Sequence, residues 1–158
     1  MPRVKTTLVQ KIRGFTLIEL MIVVAILGLL LAMALPGFIR ARENAQNSRF
    51  AADLRVACDA FTEYALNEGH YPADRTPGQM PDGMEEWLAR MHWTRTTPIG
   101  GQWDWDYQQF GTQAGVSVYQ PTARTAQLQR LDALIDDGDL SSGFFHQRSG
   151  GYIQVLEN

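Results

Sequence analysis

The sequence has almost none of the residues that link small domains covalently or through metals. Its 158 residues include a single cysteine, Cys58, which cannot form an internal disulfide. A structural zinc site built on cysteines is excluded for the same reason. The folded part of the chain must therefore be held together by its hydrophobic core.

Positive charge is also scarce. The chain has 14 basic residues against 17 acidic ones, a formal net charge of −3, and its only lysines are Lys5 and Lys11. Binding to nucleic acid relies on a field of basic residues that neutralises phosphates, and this chain has no such excess. Nucleic acid is therefore not a predicted partner.

Motifs for enzyme chemistry are missing as well. The three histidines, His70, His92 and His146, are far apart in the sequence. No HExxH, GxSxG, phosphate-loop or dinucleotide fingerprint occurs. Asp104 and Asp106 are spaced as paired acids, but no pattern places them in a cleft. The sequence predicts a protein that is not an enzyme.

Charge is absent altogether from residues 20–39. A helix of that length crosses the ~30 Å hydrocarbon core of a bilayer. The segment before it, residues 1–14, is basic and contains no acid, so it is expected to stay in the cytoplasm while the rest of the chain is exported. The basic residues of that segment are Arg3, Lys5, Lys11 and Arg13.

One acidic residue, Glu19, stands at the edge of the apolar run. An isolated charge in a membrane costs a few kcal/mol or more, so such a residue usually has a function and a cationic partner. Cleavage between Gly14 and Phe15 would create an α-amine four residues before Glu19. That amine would lie one helical turn from the carboxylate, or would be available to a neighbouring chain.

The residues Gly-Phe-Thr-Leu-Ile-Glu-Leu at positions 14–20 follow a basic leader and open an apolar segment. This pattern resembles the cleavage and methylation signal of type IV pilins and type II secretion pseudopilins. The resemblance implies that a membrane prepilin peptidase cuts after Gly14 and methylates Phe15. It also implies that Glu19 pairs with an N-terminal amine when subunits enter a filament.

Two residues inside the apolar segment extend the resemblance. Gly28 and Pro36 stand where family members carry helix-weakening residues, and both lower helix stability. The resemblance implies that this stretch can partly unwind in a filament. Glycine and proline are also frequent in ordinary membrane helices, which is the plainer interpretation.

A secretory signal peptide is an alternative interpretation of the N-terminus. The small residues Ala32 and Ala34 flank Met33 and satisfy the cleavage rule, which would give a mature start at Leu35. The apolar run is longer than a usual signal sequence, however, and Glu19 interrupts its start. A plain uncleaved anchor has no use for Glu19 either.

After the apolar run, apolar residues recur with the 3 and 4 spacing of one helical face, as at Phe50, Leu54 and Phe61. The helix is therefore expected to continue to Glu68 and to end at Gly69. Trp103, Trp105 and Tyr107 alternate along a strand and are expected to form core. The other predicted elements are a short helix from Asp82, capped by Glu85, strands at residues 102–110 and 116–120, a helix at 123–135, and a hairpin of residues 143–147 and 152–156.

These patterns predict an α+β fold in which a long N-terminal helix packs on a small antiparallel sheet, as in pilins. The expected organisation is a leader at residues 1–14, a transmembrane and assembly half of the helix at 15–39, and a periplasmic globular domain at 40–158.

Three carboxylates, Asp136, Asp137 and Asp139, crowd a glycine turn near the C-terminus. Such oxygen ligands can hold Ca²⁺, and some major pseudopilins bind calcium in this region. The spaced ligand loop of an EF-hand is missing, so an ordinary acidic turn is the default interpretation. No other cofactor is expected.

The predicted function is that of a structural subunit of a type II secretion pseudopilus or a type IV pilus. The expected partners are prepilin peptidase, other pilin subunits and an inner-membrane assembly platform. The expected location is the inner membrane, crossed once with the N-terminus in the cytoplasm, and then the filament. The alternatives are a minor pilin that presents its Trp and Tyr strands to a ligand, as an adhesion module would, and a secreted soluble domain.

Overall fold

The computed structural model describes residues 14–158, so most of the predicted leader lies outside the described residues. The chain divides into two units, with the boundary between Ile39 and Arg40. One helix, α1 (Leu17–Glu68), contributes residues to both units. Each unit is described by itself.

The described part of the first unit is an apolar helix without a core. Every side chain from residue 14 to residue 39 is exposed, and the large apolar ones range from 41% exposed at Ile39 to 78% at Phe15. Among the described residues, α1 is the one helix that is long and apolar enough to cross a membrane. Within this unit, the apolar surface has nothing to pack against.

The second unit, Arg40–Asn158, is built on a four-stranded antiparallel sheet. The sheet has the strand order β1-β2-β4-β3, and a second helix, α2, precedes β3 in the chain. Together with the C-terminal part of α1, these elements give the predicted α+β architecture. Their bounds are β1 Gln102–Tyr107, β2 Ala114–Tyr119, α2 Thr125–Ile135, β3 Phe145–Arg148 and β4 Gly151–Glu157.

The core of this unit is a set of aromatic stacks between α1 and β1. Phe50 stacks on Trp103 with ring centroids 4.9 Å apart. Phe61 stacks on Trp105 at 3.8 Å. Trp103 is 2% exposed and Trp105 1%, so the prediction that they are core is confirmed. They do not present a stacking platform to a ligand, because Phe50 and Phe61 of α1 cover their rings.

Polar contacts attach α2 to the same helix. The buried Glu43 of α1 accepts hydrogen bonds from Arg124 and Arg130. Asn47 donates to the main-chain oxygen of Gln127 at 3.0 Å, and the Gln127 amide donates back to Asn47 at 3.1 Å. Because a buried carboxylate needs such partners, Glu43 fixes which face of α1 receives α2.

The predicted C-terminal end of α1 agrees with the structure, since the helix ends at Glu68 and Gly69 follows with φ of 76°. The helix begins at Leu17, two residues later than predicted. A left-handed residue directly after a helix is the usual C-terminal cap, and glycine adopts that conformation without strain. The Gly69 amide donates to the Ala65 carbonyl at 2.9 Å, which closes the last turn.

The predicted short helix at Asp82 is wrong. Residues 82–91 form successive turns, and only one bond of helical spacing occurs there, from the Leu88 amide to the Met84 carbonyl at 2.9 Å. Gly83 has φ of 83°, which breaks a right-handed helix at its second residue. The backbone conformation predicted for this segment is wrong, but the burial predicted for Leu88 and Met91 is correct.

Strand β1 is also shorter than predicted. It ends at Tyr107 rather than Phe110, because Gln108 and Phe110 adopt left-handed φ values of 56° and 51°. Such conformations are incompatible with a strand. The remaining predicted strands and α2 match the observed elements within a few residues at each end.

Candidate functional site

The start of α1 is closed by a pair of reciprocal hydrogen bonds between Thr16 and Glu19. The main-chain amide and the hydroxyl of Thr16 both donate to Oε2 of Glu19, each at 2.8 Å. In return, the Glu19 amide donates to the Thr16 hydroxyl oxygen at 3.3 Å. This is a capping box, in which a Thr before the helix and a Glu three residues later satisfy each other's free amides.

The capping box adds a role for Glu19 that the sequence analysis missed. The Thr-x-x-Glu spacing at residues 16–19 is the signal that could have revealed it. Both bonds from Thr16 fall on Oε2, and Oε1 accepts none from the described residues. Glu19 can therefore cap its own helix and still offer one carboxylate oxygen to another donor.

The predicted cleavage position lies just outside the helix. Gly14 and Phe15 precede α1 without regular structure, and both are exposed. A peptide bond in an exposed, non-helical segment can enter a protease active site without unfolding a helix. The structure is thus compatible with cutting before Phe15.

Gly28 and Pro36 lie inside α1, which continues through both. A Cβ placed on Gly28 would meet no atom within 4 Å. No side chain of the described residues therefore requires a glycine at this position. Pro36 leaves one helical bond unmade, because it has no amide hydrogen.

A group of acidic residues lies at the C-terminal end of α2. One carboxylate oxygen each of Asp132, Asp136 and Asp137 can be chosen so that all lie within 4.8 Å of one another. Asp132 is fully buried, and neither of its oxygens has a hydrogen-bond partner in the described chain. Burial, together with the charges of Asp137 and Asp136, raises the pKa of Asp132 to about 6.

The composition of this group differs from the predicted one. Asp136 and Asp137 belong to it as expected, and Asp132 joins them because it precedes Asp136 by one helical turn. Asp139 is not a member of this group, and its Oδ1 accepts the amide of Ser141 at 3.0 Å. Among the described residues, this is the only such convergence of three or more His, Cys, Asp or Glu side chains.

The acid pair Asp104 and Asp106, which the sequence left without a cleft, is buried beside Arg148. Arg148 was not singled out from the sequence, and only the pairing of β3 with the rest of the sheet brings it there. A cavity opens at this place, and Asp104, Asp106 and Arg148 are among the residues that line it.

Comparison with known proteins finds a family match in the N-terminal part of the chain. Residues 10–35 match the family described as the prokaryotic N-terminal methylation motif. The resemblance predicted from residues 14–20 is therefore confirmed for this segment. It includes the predicted cleavage position at Gly14 and the capping residues Thr16 and Glu19.

Curated relatives are similar in sequence to this chain over part of their length. The chain is 48% identical over 64 residues to the type IV major pilin protein PilE of Neisseria gonorrhoeae, an alignment that covers 40% of this chain and 38% of the relative. It is 36% identical over 63 residues to the type II secretion system core protein G of Escherichia coli, covering 40% of this chain and 43% of the relative.

The similarity thus spans about two fifths of the length of these curated relatives. No solved structure matches the chain.

Proposed function

We propose that this chain is a structural subunit of a type II secretion pseudopilus or a type IV pilus. The observation that carries the proposal is the methylation motif at residues 10–35 joined to an apolar helix whose side chains are all exposed in a single chain. Such a helix needs lipid before assembly and the helices of other subunits afterwards. Relatives named as a major pilin and a secretion core protein support the same role.

Processing would occur between Gly14 and Phe15, with methylation of the new amine on Phe15. The enzyme responsible would be a prepilin peptidase. The exposed, non-helical position of this peptide bond supports the assignment. Removal of the basic leader would leave a chain that begins one residue before the helix cap at Thr16.

Assembly would rest on the apolar helix and on Glu19. Inside a dry bundle of helices an ionised carboxylate is costly unless a cation neutralises it. The free Oε1 of Glu19 would accept the N-terminal amine of a neighbouring subunit, while Oε2 keeps its bonds to Thr16. Gly28 and Pro36 would let this part of the helix unwind where subunits pack.

The topology follows from charge. The basic leader would remain in the cytoplasm, the part of α1 up to Ile39 would cross the inner membrane once, and residues 40–158 would lie in the periplasm. An inner-membrane assembly platform would then transfer the subunit into the filament. We assign no enzymatic activity to it, since neither relative is named as an enzyme.

Substitutions at two residues test the role of Glu19. Glu19→Gln keeps an acceptor for the Thr16 bonds but removes the charge, whereas Thr16→Ala removes the cap, at a cost of about 1 kcal/mol, and keeps the charge. We expect Glu19→Gln and Glu19→Ala to reach the membrane normally and to form few filaments in electron micrographs. Thr16→Ala should assemble at close to the normal yield. Normal filaments from Glu19→Gln would contradict the charge-pairing mechanism.

We further propose that Asp132, Asp136 and Asp137 hold Ca²⁺. The buried, unpartnered oxygens of Asp132 support this, because a hard cation would supply the missing contacts. Bound calcium would anchor the end of α2 to the segment that leads into β3, where the Phe145 amide donates to Asp136 at 2.9 Å.

Thermal unfolding of the detergent-solubilised chain tests the calcium site. Calcium at 100 times its Kd should stabilise the fold by about 2.7 kcal/mol relative to chelator. Asp132→Asn should lose this response, and Asp139→Asn, outside the acidic group, should retain it. An unchanged Tm in millimolar calcium would contradict the site.

A further inference from the structure

A cavity of about 520 Å³ lies on the face of the sheet that points away from α1. Successive residues of a strand point to opposite faces, so Trp103 and Trp105 pack toward α1 while Asp104 and Asp106 line the cavity. A cavity of this size is large enough to enclose one or two extended side chains. Its other lining residues include Asp74, Thr76, Gln109 and Tyr119.

The cavity lining holds three acids, Asp74, Asp104 and Asp106, and two arginines, Arg75 and Arg148. Arg75 forms its ion pair with Asp82, outside the lining. Asp104 and Asp106 share one guanidinium, that of Arg148, whose Nε lies 3.2 Å from Asp106. Asp104 is 4% exposed, yet its Oδ1 has no hydrogen-bond partner in the described chain. Burial and the neighbouring Asp106 raise the pKa of Asp104 to about 7. A further cation would satisfy this acid.

The rim of the cavity is held in an unusual backbone conformation. Gln108, Phe110 and Gln120 are the only residues other than glycine with positive φ in residues 14–158, and they flank the two strands that form the cavity floor. Each such conformation costs about 1–3 kcal/mol and persists where the surroundings enforce it. Phe110 is 47% exposed, and its ring centroid lies 4.6 Å from the Arg148 guanidinium carbon. Of these three residues Phe110 lines the cavity, and its ring already contacts one guanidinium there, as aromatic rings suited to cations do.

A basic hollow lies on the opposite face of the same strand. It is lined by Arg49, Arg90 and Arg95, with the core residue Trp103 at its base and Asp53 as its one acid. Arg90 and Arg95 are exposed and form no ion pair with the described residues. Both hollows belong to the second unit, so their placement back to back across β1 is fixed by the fold of that unit.

Two complementary surfaces on opposite faces of a subunit cannot close into a symmetric pair. They join head to tail, and such contacts produce rings or open helical filaments. The partner cation would be arginine, because no lysine occurs after Lys11. Guanidinium groups also suit this cavity, since they bind carboxylates through two bonds and stack on aromatic rings.

We propose that the acidic cavity of one subunit receives Arg90 and Arg95 of the next subunit, which makes a head-to-tail contact between the globular parts of the filament. This inference rests on the proposed function, because it needs a filament in which copies of the chain are neighbours. The contact adds directional specificity to assembly, whereas the apolar helix supplies most of the buried surface.

Disulfide trapping in assembled filaments tests the contact. Thr76 lies at the cavity and Thr94 next to Arg95, and both are exposed. In a Cys58→Ala background, a chain with both Thr76→Cys and Thr94→Cys should give a ladder of linked multimers on a non-reducing gel. A mixture of the two single-cysteine chains should give dimers only, and either single-cysteine chain alone should stay monomeric.

The outcomes separate the contact from the proposed function. Filaments in electron micrographs without a ladder overturn the head-to-tail contact and leave the proposed function standing. Dimers from either single-cysteine chain alone also overturn it, since they indicate a symmetric contact. If the parent chain forms no filaments at all in a host with the assembly machinery, the proposed function itself fails, and the contact with it.

Charge reversal provides a second test. Asp74→Arg and Arg95→Asp should each lower the yield of the ladder about tenfold, because like charges would face each other across the contact. The two changes combined in one chain should restore much of the yield. Asp59→Arg, the same reversal at an exposed residue outside both hollows, should change it little. Equal losses from Asp59→Arg and Asp74→Arg would contradict the proposed pairing.

Discussion

The two units of this chain use apolar residues in opposite ways. Up to Ile39 every large apolar side chain of the described helix is exposed. From Arg40 onward α1 and β1 bury four stacked aromatic side chains, Phe50, Phe61, Trp103 and Trp105. The second unit is stabilised by contacts within the chain. The described residues of the first unit bury no apolar side chain, and under the proposed function lipid or other subunits cover this surface.

The two units also differ in the partners of their acidic side chains. In the second unit, the carboxylate of Glu43 is paired within the same chain with Arg130 of α2 and with Arg124, the residue before α2. In the first, Glu19 is capped by Thr16, and its Oε1 accepts no hydrogen bond from the residues that the structure describes. A carboxylate oxygen without a partner in the described part of its own chain is what we expect of a residue that acts between subunits.

The largest expected effect on stability distinguishes the buried apolar residues of the second unit from the exposed ones of the first. Phe61→Ala should lower the free energy of unfolding of the second unit by about 3–5 kcal/mol, because the ring is fully buried against Trp105. Denaturant titration followed by tryptophan fluorescence in detergent measures this loss. Leu29→Ala, a truncation in the first unit, should change the same transition by less than about 0.5 kcal/mol. Equal losses of unfolding free energy from the two variants would contradict this difference between the units.

A smaller effect is expected from pH. Burial raises the pKa of Asp104 to about 7 from an ordinary value of 3.8, so the folded state binds this proton more tightly than the unfolded chain does. Stability should therefore fall as the pH rises from about 4 to about 7, and level off above that range. Asp132, with a pKa raised to about 6, contributes with the same sign.

Thermal unfolding in chelator should show a loss on the order of 1 kcal/mol between pH 5 and pH 8. Asp104→Asn should flatten this profile in part. Leu29→Ala should leave it unchanged, because the titrating groups belong to the second unit. A profile that rises with pH over this range would contradict the assignment.

The smallest effect on folding is expected at Gly28. Alanine fits there in a single chain, since its Cβ would touch nothing within 4 Å, and it favours the helix by about 0.5–1 kcal/mol. Unfolding of the second unit should not change measurably in Gly28→Ala. Filament yield should fall if local unwinding or close helix packing is needed, and sedimentation of sheared filaments measures it. Unchanged filaments would mean that Gly28 has no part in assembly.

Much of this structure could be predicted because its signals are local in sequence. The apolar run, the helical spacing of Phe50 and Phe61, and the alternation of Trp103 and Trp105 each depend on neighbours in the chain. The prediction of a helix from Asp82 is wrong because the apolar spacing fits a helix, while Gly83 and packing in the core impose turns. Propensity is a weak guide where tertiary contacts decide the backbone.

The remaining sites depend on residues that are distant in sequence. Arg148 reaches Asp104 only because β3 joins the far edge of the sheet, an arrangement that no local pattern encodes. Asp132 was overlooked for a simpler reason: it stands on the helix rather than in the acidic turn, one helical turn before Asp136. The capping role of Glu19, in contrast, was readable from Thr16 and was missed.

Mass spectrometry of the N-terminus of the native protein shows whether the exposed helix belongs to a processed filament subunit. We expect a mature chain that begins with N-methyl-phenylalanine at position 15, and a Gly14→Ala variant that keeps its leader. A mature chain that begins at Leu35, or one that retains residues 1–14 in a host with a prepilin peptidase, would contradict it.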